Sequence, residues 1–245
     1  MKQFRILHGV AVLTAVWYAA AVLIRSPIIP QPHLVALQTL QDLSRPATML
    51  HLASSLYRIL AGLALALTTG VPTGIAAARS RLFGRSITPL LYLLYPVPKI
   101  ALLPVFMVLL GIGDAAKIAL IAVIIFFPIA VAVRDGVQRI SARYMELVRV
   151  LHLTQREILG RIILPGILPD IFSALRISLG ISLSVLFFSE NIATGYGLGF
   201  LIMNSWIMAD YLGMYAGIVL LSSLGVMLYR LLDILQNKLM PWTSS

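Results

Sequence analysis

The chain has 245 residues, 60% of them hydrophobic and 11% charged, with a formal net charge of +10. Soluble domains are about 45–50% apolar and about 25% charged, so a surface built to face water is excluded, and a soluble enzyme domain with it. The absence of cysteine removes disulfides, thiolate catalysis and Cys-based zinc sites.

Six apolar segments follow in chain order: 6–24, 59–78, 90–110, 118–133, 171–188 and 211–229. A helix needs roughly 20 apolar residues to cross about 30 Å of hydrocarbon, and the fourth reaches that length once 115–117 are added. The first follows Lys2 and Arg5, as a signal peptide would. Its apolar run exceeds the usual length of about 7–15 residues and no clear cleavage site follows, so it reads as a retained helix. The stretch 192–208 contains Gly195, Gly197, Gly199 and Asn204, which suits a loop or a short re-entrant piece better than a span.

Loop charges set the orientation. Lys2, Arg5, Arg79, Arg81, Arg85, Arg134, Arg139, Arg143, Arg149, Arg156, Arg161, Arg230 and Lys238 all fall on one side, which makes 13 of the 19 basic residues. The other side holds Arg25, Arg45 and Lys117, with Arg58 at the mouth of the second helix. Six spans with both termini in the cytoplasm satisfy the positive-inside rule. The basic charge is therefore topological, and no nucleic-acid partner is expected. His8, His33, His51 and His152 stand far apart and form no metal-ligand spacing.

Proline marks the third segment, which reads Tyr95-Pro96-Val97-Pro98-Lys99 and then Pro104. Each interior proline removes a backbone hydrogen bond, and broken helices at membrane depth commonly mark a substrate path. Gly70-Val71-Pro72 and Pro128 interrupt the second and fourth segments. A lysine within a span is costly and tends to be functional. Lys99 could meet an anionic substrate, snorkel to an interface or pair with a freed carbonyl. Pro96, Pro98, Lys99, Pro104 and Arg58 are the candidate residues of the path, and Arg176 reads as an interfacial anchor.

The long cytoplasmic loop, 134–169, should carry two short helices. Met145, Val148 and Leu151 recur at helical spacing, and Glu146 and Arg149 share a helical side. Thr154-Gln155-Arg156-Glu157 matches a capping box, so a second helix starts just after a turn at His152-Leu153. Such a pair could cover the membrane ends of the spans, or dock in a partner's groove.

The run from Glu146 through Leu147, Val148, Arg149, Leu151, His152 and Leu153, continuing to Ile163-Leu164-Pro165 and Leu168-Pro169, resembles the EAA loop of ABC importer permeases. Ser173-Ala174-Leu175-Arg176 is similar to the Gly-Leu-Arg element that follows it in the family. Further stretches resemble the nitrate, sulfonate and taurine branch. These are Ser55 to Gly62, Gly70 to Gly74, Pro96 to Lys99, Gly111 to Asp114 with Lys117, and Gly197 to Ile202. Leu147 and Val148 stand where the family has small alanines, and His152 where it has glycine. Histidine is enriched in left-handed backbone, so the turn is expected to survive.

The resemblance implies an all-α integral membrane protein of the type I ABC importer permease fold, with six transmembrane helices in a single domain, 1–245. It implies a coupling loop at 134–169 and an outer loop at 189–210. Glu146, Leu147, Val148, Arg149, Leu151, His152, Leu153, Thr154, Glu157, Leu164 and Pro165 would then engage a dimer of ATPase subunits. A second permease copy and an extracytoplasmic solute-binding protein complete the assembly, in a bacterial or archaeal inner membrane. The solute would be a small anion such as a sulfonate, taurine, nitrate or bicarbonate, or alternatively a heteroaromatic vitamin precursor.

No cofactor is expected in this chain. No lysine follows glycine, so a phosphate-cradling Gly-Lys-Ser/Thr loop is missing, and ATP with its Mg would bind the partner subunit. A transporter or channel working without an ATPase would need carboxylates within the spans, and the segments as drawn contain none. A membrane enzyme would need a cluster with a base-orienting partner, which Ser189-Glu190-Asn191 does not offer. No catalytic residue is expected.

Overall fold

The computed structural model describes residues 2–150 and 153–243, with side chains for 8–141 and 153–242. Among the described residues every regular element is helical. In order they are α1 (Lys2–Ile24), α2 (Pro32–Leu43), α3 (Pro46–Arg79), α4 (Arg81–Leu94), α5 (Leu103–Leu110), α6 (Asp114–Val150), the single turn α7 (Gln155–Glu157), α8 (Leu164–Glu190), α9 (Leu198–Ile207) and α10 (Tyr211–Leu239). A 3-10 turn at Lys99–Leu102 precedes α5, and a π-helical stretch, Ile158–Ile163, joins α7 to α8. The chain divides into two compact units, Met1–Leu56 with Glu190–Leu224, and Tyr57–Ser189 with Gly225–Ser245.

Five of the six predicted apolar segments fall on continuous helix, and the third, 90–110, is interrupted at 95–98. Four stretches, Pro46–Arg79, Asp114–Ser141, Gln155–Glu190 and Tyr211–Leu239, are long and apolar enough to cross a membrane, and His8–Ile24 is a shorter apolar helix. The third segment is not a straight span: α4 and the Lys99–Leu110 stretch are bent by 97°.

Helix boundaries differ from hydropathy wherever buried polar groups or an amphipathic continuation intervene. α3 starts well before residue 59 because His51, Ser55 and Arg58, which interrupt the apolar run, are buried with hydrogen-bond partners of their own. α6 does not stop at Val133. The stripe Ile125, Ile129, Val133, Val137 and Ile140 stays buried past the charged pair Arg134-Asp135, and that helical spacing carries the segment on to Val150. The first helix expected in the 134–169 loop is thus the end of α6. α8 likewise begins at Leu164 and includes Asp170 and Glu190, so carboxylates do lie within it. α2 was not anticipated. It has Pro32 at its start and a buried stripe of Val35, Thr39 and Asp42, and proline is favoured at a first helical position.

In the unit containing 57–189, α3 and α6 pack backbone to backbone. A Cβ on Gly62 would fall 2.5 Å from Ile121, one on Gly70 3.1 Å from Ile129, and one on Gly74 2.6 Å from the Ala130 carbonyl oxygen. Gly70 and Gly74 are spaced as in the small-residue motif that lets membrane helices approach closely, where van der Waals contact rather than hydrophobicity holds them. In the other unit, Trp17 of α1 stacks on Tyr215 of α10 with ring centroids 5.5 Å apart, and Tyr18 meets His33 of α2 at 6.0 Å.

Candidate translocation groove and coupling segment

The break between α4 and α5 has a chemical cause. In a continuous helix residue 98 would donate to the Leu94 carbonyl, but Pro98 has no N–H. Lys99 Nζ takes that place and donates to Leu94 O at 2.9 Å, Tyr95 O at 2.7 Å and Val97 O at 3.2 Å. An ammonium has three protons, and three carbonyls receive them. The same nitrogen sits 4.6 Å from the ring centroid of Phe127 on α6, a cation–π contact. Lys99 is 9% exposed. Of the three fates open to it from sequence, the structure shows the carbonyl pairing.

Beside this turn lies a cavity of about 430 Å³ whose walls include Tyr95, Lys99, Ile124, Pro128, Ser184 and Phe188. A second cavity of about 320 Å³ shares Tyr95 and Pro128 and continues to Tyr92, Asp170 and Ser173. Together they form a groove walled by α4, α6 and α8, apolar with few polar groups, as small-molecule sites are. Charged contacts surround its Asp170 end. Arg139 pairs with Asp170 at 2.6 Å, Arg134 with Asp135 at 2.6 Å, and the Tyr92 hydroxyl donates to Asp135 at 3.1 Å. Gly136 makes room here, since a Cβ on it would lie 2.5 Å from Asp170 Oδ2. Sequence reasoning passed over Tyr92, Asp135 and Asp170, and read Arg139 only as a loop charge. The signal was Gly136, the one glycine of α6.

The other path candidates are placed elsewhere. Pro104 sits in the first turn of α5. Arg58 is not at a helix mouth but inside α3, 4% exposed. Its Nε and Nη2 meet one oxygen of Asp114 at 2.8 and 2.7 Å. Arg176, read as an interfacial anchor, pairs instead with Asp233 at 2.6 Å and donates to Gln236 at 2.9 Å.

The capping box forms as its spacing predicts. The Thr154 amide and hydroxyl donate to Glu157 Oε2 at 3.0 and 2.8 Å, and the Glu157 amide donates back to Thr154 Oγ1 at 3.4 Å. Arg79, at the end of α3, donates to Gln155. Leu164 is exposed, Leu153 and Pro165 half-buried. Glu146, Leu147, Val148 and Arg149 fall on the last turns of α6, their side chains outside the described residues, and Leu151 and His152 lie outside them altogether.

One polar cluster in the unit containing 190–224 was also missed. Glu190 is fully buried, its two oxygens each 2.9 Å from the Ser55 hydroxyl.

With this geometry in place, residues 70–241 match the family model described as binding-protein-dependent transport system inner membrane component. The chain is 34% identical over 242 residues to the taurine transport system permease protein of Escherichia coli K12, covering 95% of this chain and 87% of that one. It is 30% identical over 231 residues to the formylaminopyrimidine transport permease protein of Halalkalibacterium halodurans, covering 94% and 92%. In structure it resembles the MetNI methionine ABC transporter in an inward-facing conformation, with a TM-score of 0.64 and 20% identity over 82% of this chain and 100% of that one.

Proposed function

Because the chain belongs to the binding-protein-dependent transport system inner membrane components, a multi-pass permease subunit whose partners are a binding protein and an ATPase, we propose that it works as a homodimer importing a small organic anion of the aminosulfonate kind. The observation that carries the substrate class is the near full-length similarity to a taurine permease. An ammonium at the wall of the groove supports the same reading. Its protons are committed to carbonyls, so it acts on a passing anion through its field, which a low dielectric strengthens, and not as a tight binding site. Selectivity then rests with the delivering protein.

In this reading both termini are cytoplasmic. The segment 146–165 docks on the ATPase dimer, which holds ATP and Mg. Pro96, Pro98 and Lys99 shape the path. The exposed capping box at Thr154 supports the docking role, because it rigidifies a short segment that presents itself at the surface. The second reading, a heteroaromatic vitamin precursor, draws on the similarity to the formylaminopyrimidine permease.

The test is to co-purify the chain with its ATPase and binding protein, and measure ligand binding by the latter. Taurine or an alkylsulfonate displacing other ligands supports the proposal. Binding of an aminopyrimidine alone moves the assignment to the second reading.

A further inference from the structure

Three consecutive amides of one loop end on three different side chains. Gly197 N–H donates to His51 Nδ1 at 3.0 Å, Leu198 N–H to Ser55 Oγ at 2.8 Å, and Gly199 N–H to Glu190 Oε2 at 2.8 Å. The Ser55 hydroxyl is also 2.9 Å from each Glu190 oxygen. These amides are the N-terminal donors of α9, groups that no intrahelical carbonyl can satisfy. Gly197 itself offers no side-chain cap.

Glu190 ends α8, where a carboxylate opposes the helix dipole. The N-terminus of α9 compensates it, so one buried anion ties the end of one helix to the start of another. The fit is tight: a Cβ on Gly197 would lie 2.4–2.6 Å from the carboxylate atoms, and Gly197 has φ of +140°, so no side chain can stand there.

The connections on either side of α9 are held in an unfavourable backbone region. Ala193 has φ of +48° and Ala209 of +57°, left-handed values that a non-glycine residue adopts only when its surroundings impose them. Midway along its length α9 rests on α10, where Ile202 leaves no room for a Cβ on Gly217, 2.7 Å away. The His51 ring lies against Tyr196 and Phe200, with centroids 5.9 and 5.8 Å away. α9 is therefore a short helix hung between two strained joints and fastened to α3 by two hydrogen bonds and by the His51 ring.

We propose that Glu190, Ser55 and His51 form a latch on α9, which holds this outer segment in its resting position and is released when the delivering binding protein engages the permease. The inference rests on the reading of the chain as an ABC importer permease. The three are positioning residues: they set where α9 sits, and the resting position in turn restrains the ATPase.

The experiment uses the full permease–ATPase complex in nanodiscs, with ATP hydrolysis read with and without binding protein. Glu190→Gln and Ser55→Ala should each raise basal hydrolysis roughly tenfold, the population shift expected from losing one charge-assisted hydrogen bond, and shrink the stimulation by binding protein. Ser55→Thr, which keeps the hydroxyl, should stay near wild type.

Because the chain has no cysteine, a His51→Cys/Phe200→Cys pair can be joined by a short reducible thiol cross-linker. The cross-linked complex should lose hydrolysis, and reduction should return it to the raised basal level expected of a variant that lacks the His51 acceptor. Full stimulation in the cross-linked state overturns the proposal, as does wild-type basal hydrolysis in both point variants. If the point variants fail to assemble, the cross-linked pair alone decides. A wild-type chain that never associates with an ATPase would instead sink the underlying permease reading.

Discussion

Arg58 and Asp114 form an ion pair in which two guanidinium nitrogens fall on a single carboxylate oxygen, at 2.8 and 2.7 Å. The arginine is 4% exposed, and the aspartate's side chain is half-exposed at 49%. Asp114 also opens α6, where a negative charge complements the helix dipole. The acid is thus tied to the arginine and to the helix it begins, while the arginine, buried inside α3, is the member that depends on being paired.

That asymmetry predicts the effect of Asp114→Asn. The variant weakens an acceptor of a buried cation and should lower stability by about 1–3 kcal/mol. Thermal unfolding in detergent measures it. An unchanged midpoint would show that the pair contributes little.

Lys99→Met should destabilise the chain by about 1–3 kcal/mol, since three carbonyls at the break lose a charged donor. Uptake should fall while the binding protein keeps its ligand affinity. Lys99→Arg should rescue only part of both losses, because a planar fork cannot aim at three carbonyls as a compact ammonium does. Full activity in Lys99→Met would remove the residue from the path.

Gly74→Ala should cost about 1–3 kcal/mol through overpacking, with the new methyl 2.6 Å from the Ala130 carbonyl oxygen and 2.7 Å from Val133. Gly74→Leu should prevent stable expression. Gly9→Ala, where a Cβ would meet nothing within 4 Å, is the matched control and should be neutral. Equal behaviour of Gly74→Ala and Gly9→Ala would mean that α3 and α6 separate easily.

Thr154→Ala should remove about 1 kcal/mol of local helix stability and reduce uptake without impairing membrane insertion. Replacing Glu146 and Arg149 together with alanine should abolish uptake, again with insertion intact. Normal uptake by the double variant refutes their coupling role.

Much of the architecture was legible because membrane insertion is decided by local composition. Every predicted apolar segment but the broken third falls on continuous helix, and the Thr154–Glu157 box formed at the expected residues. Family membership then selects the ATP-driven reading over a carrier that works alone. What hydropathy missed shares one cause. α2, the early start of α3 and the extension of α6 all involve polar or charged residues, and an average over a window counts these as loop whether or not they find partners. The stripe from Ile125 to Ile140 would have revealed the extension to a reading of helical period instead of mean hydropathy.

Composition, with no help from the fold, determined that this chain crosses a membrane several times, because transfer of apolar side chains depends on local sequence. The tertiary structure alone decided where Lys99, Arg58 and Glu190 send their charges. Their partners are carbonyls at a break, an acid at the head of another helix, and the amides that open α9. Burying an ion is tolerable only when its donors or acceptors are met, and which groups meet it depends on helices distant in the chain being brought side by side.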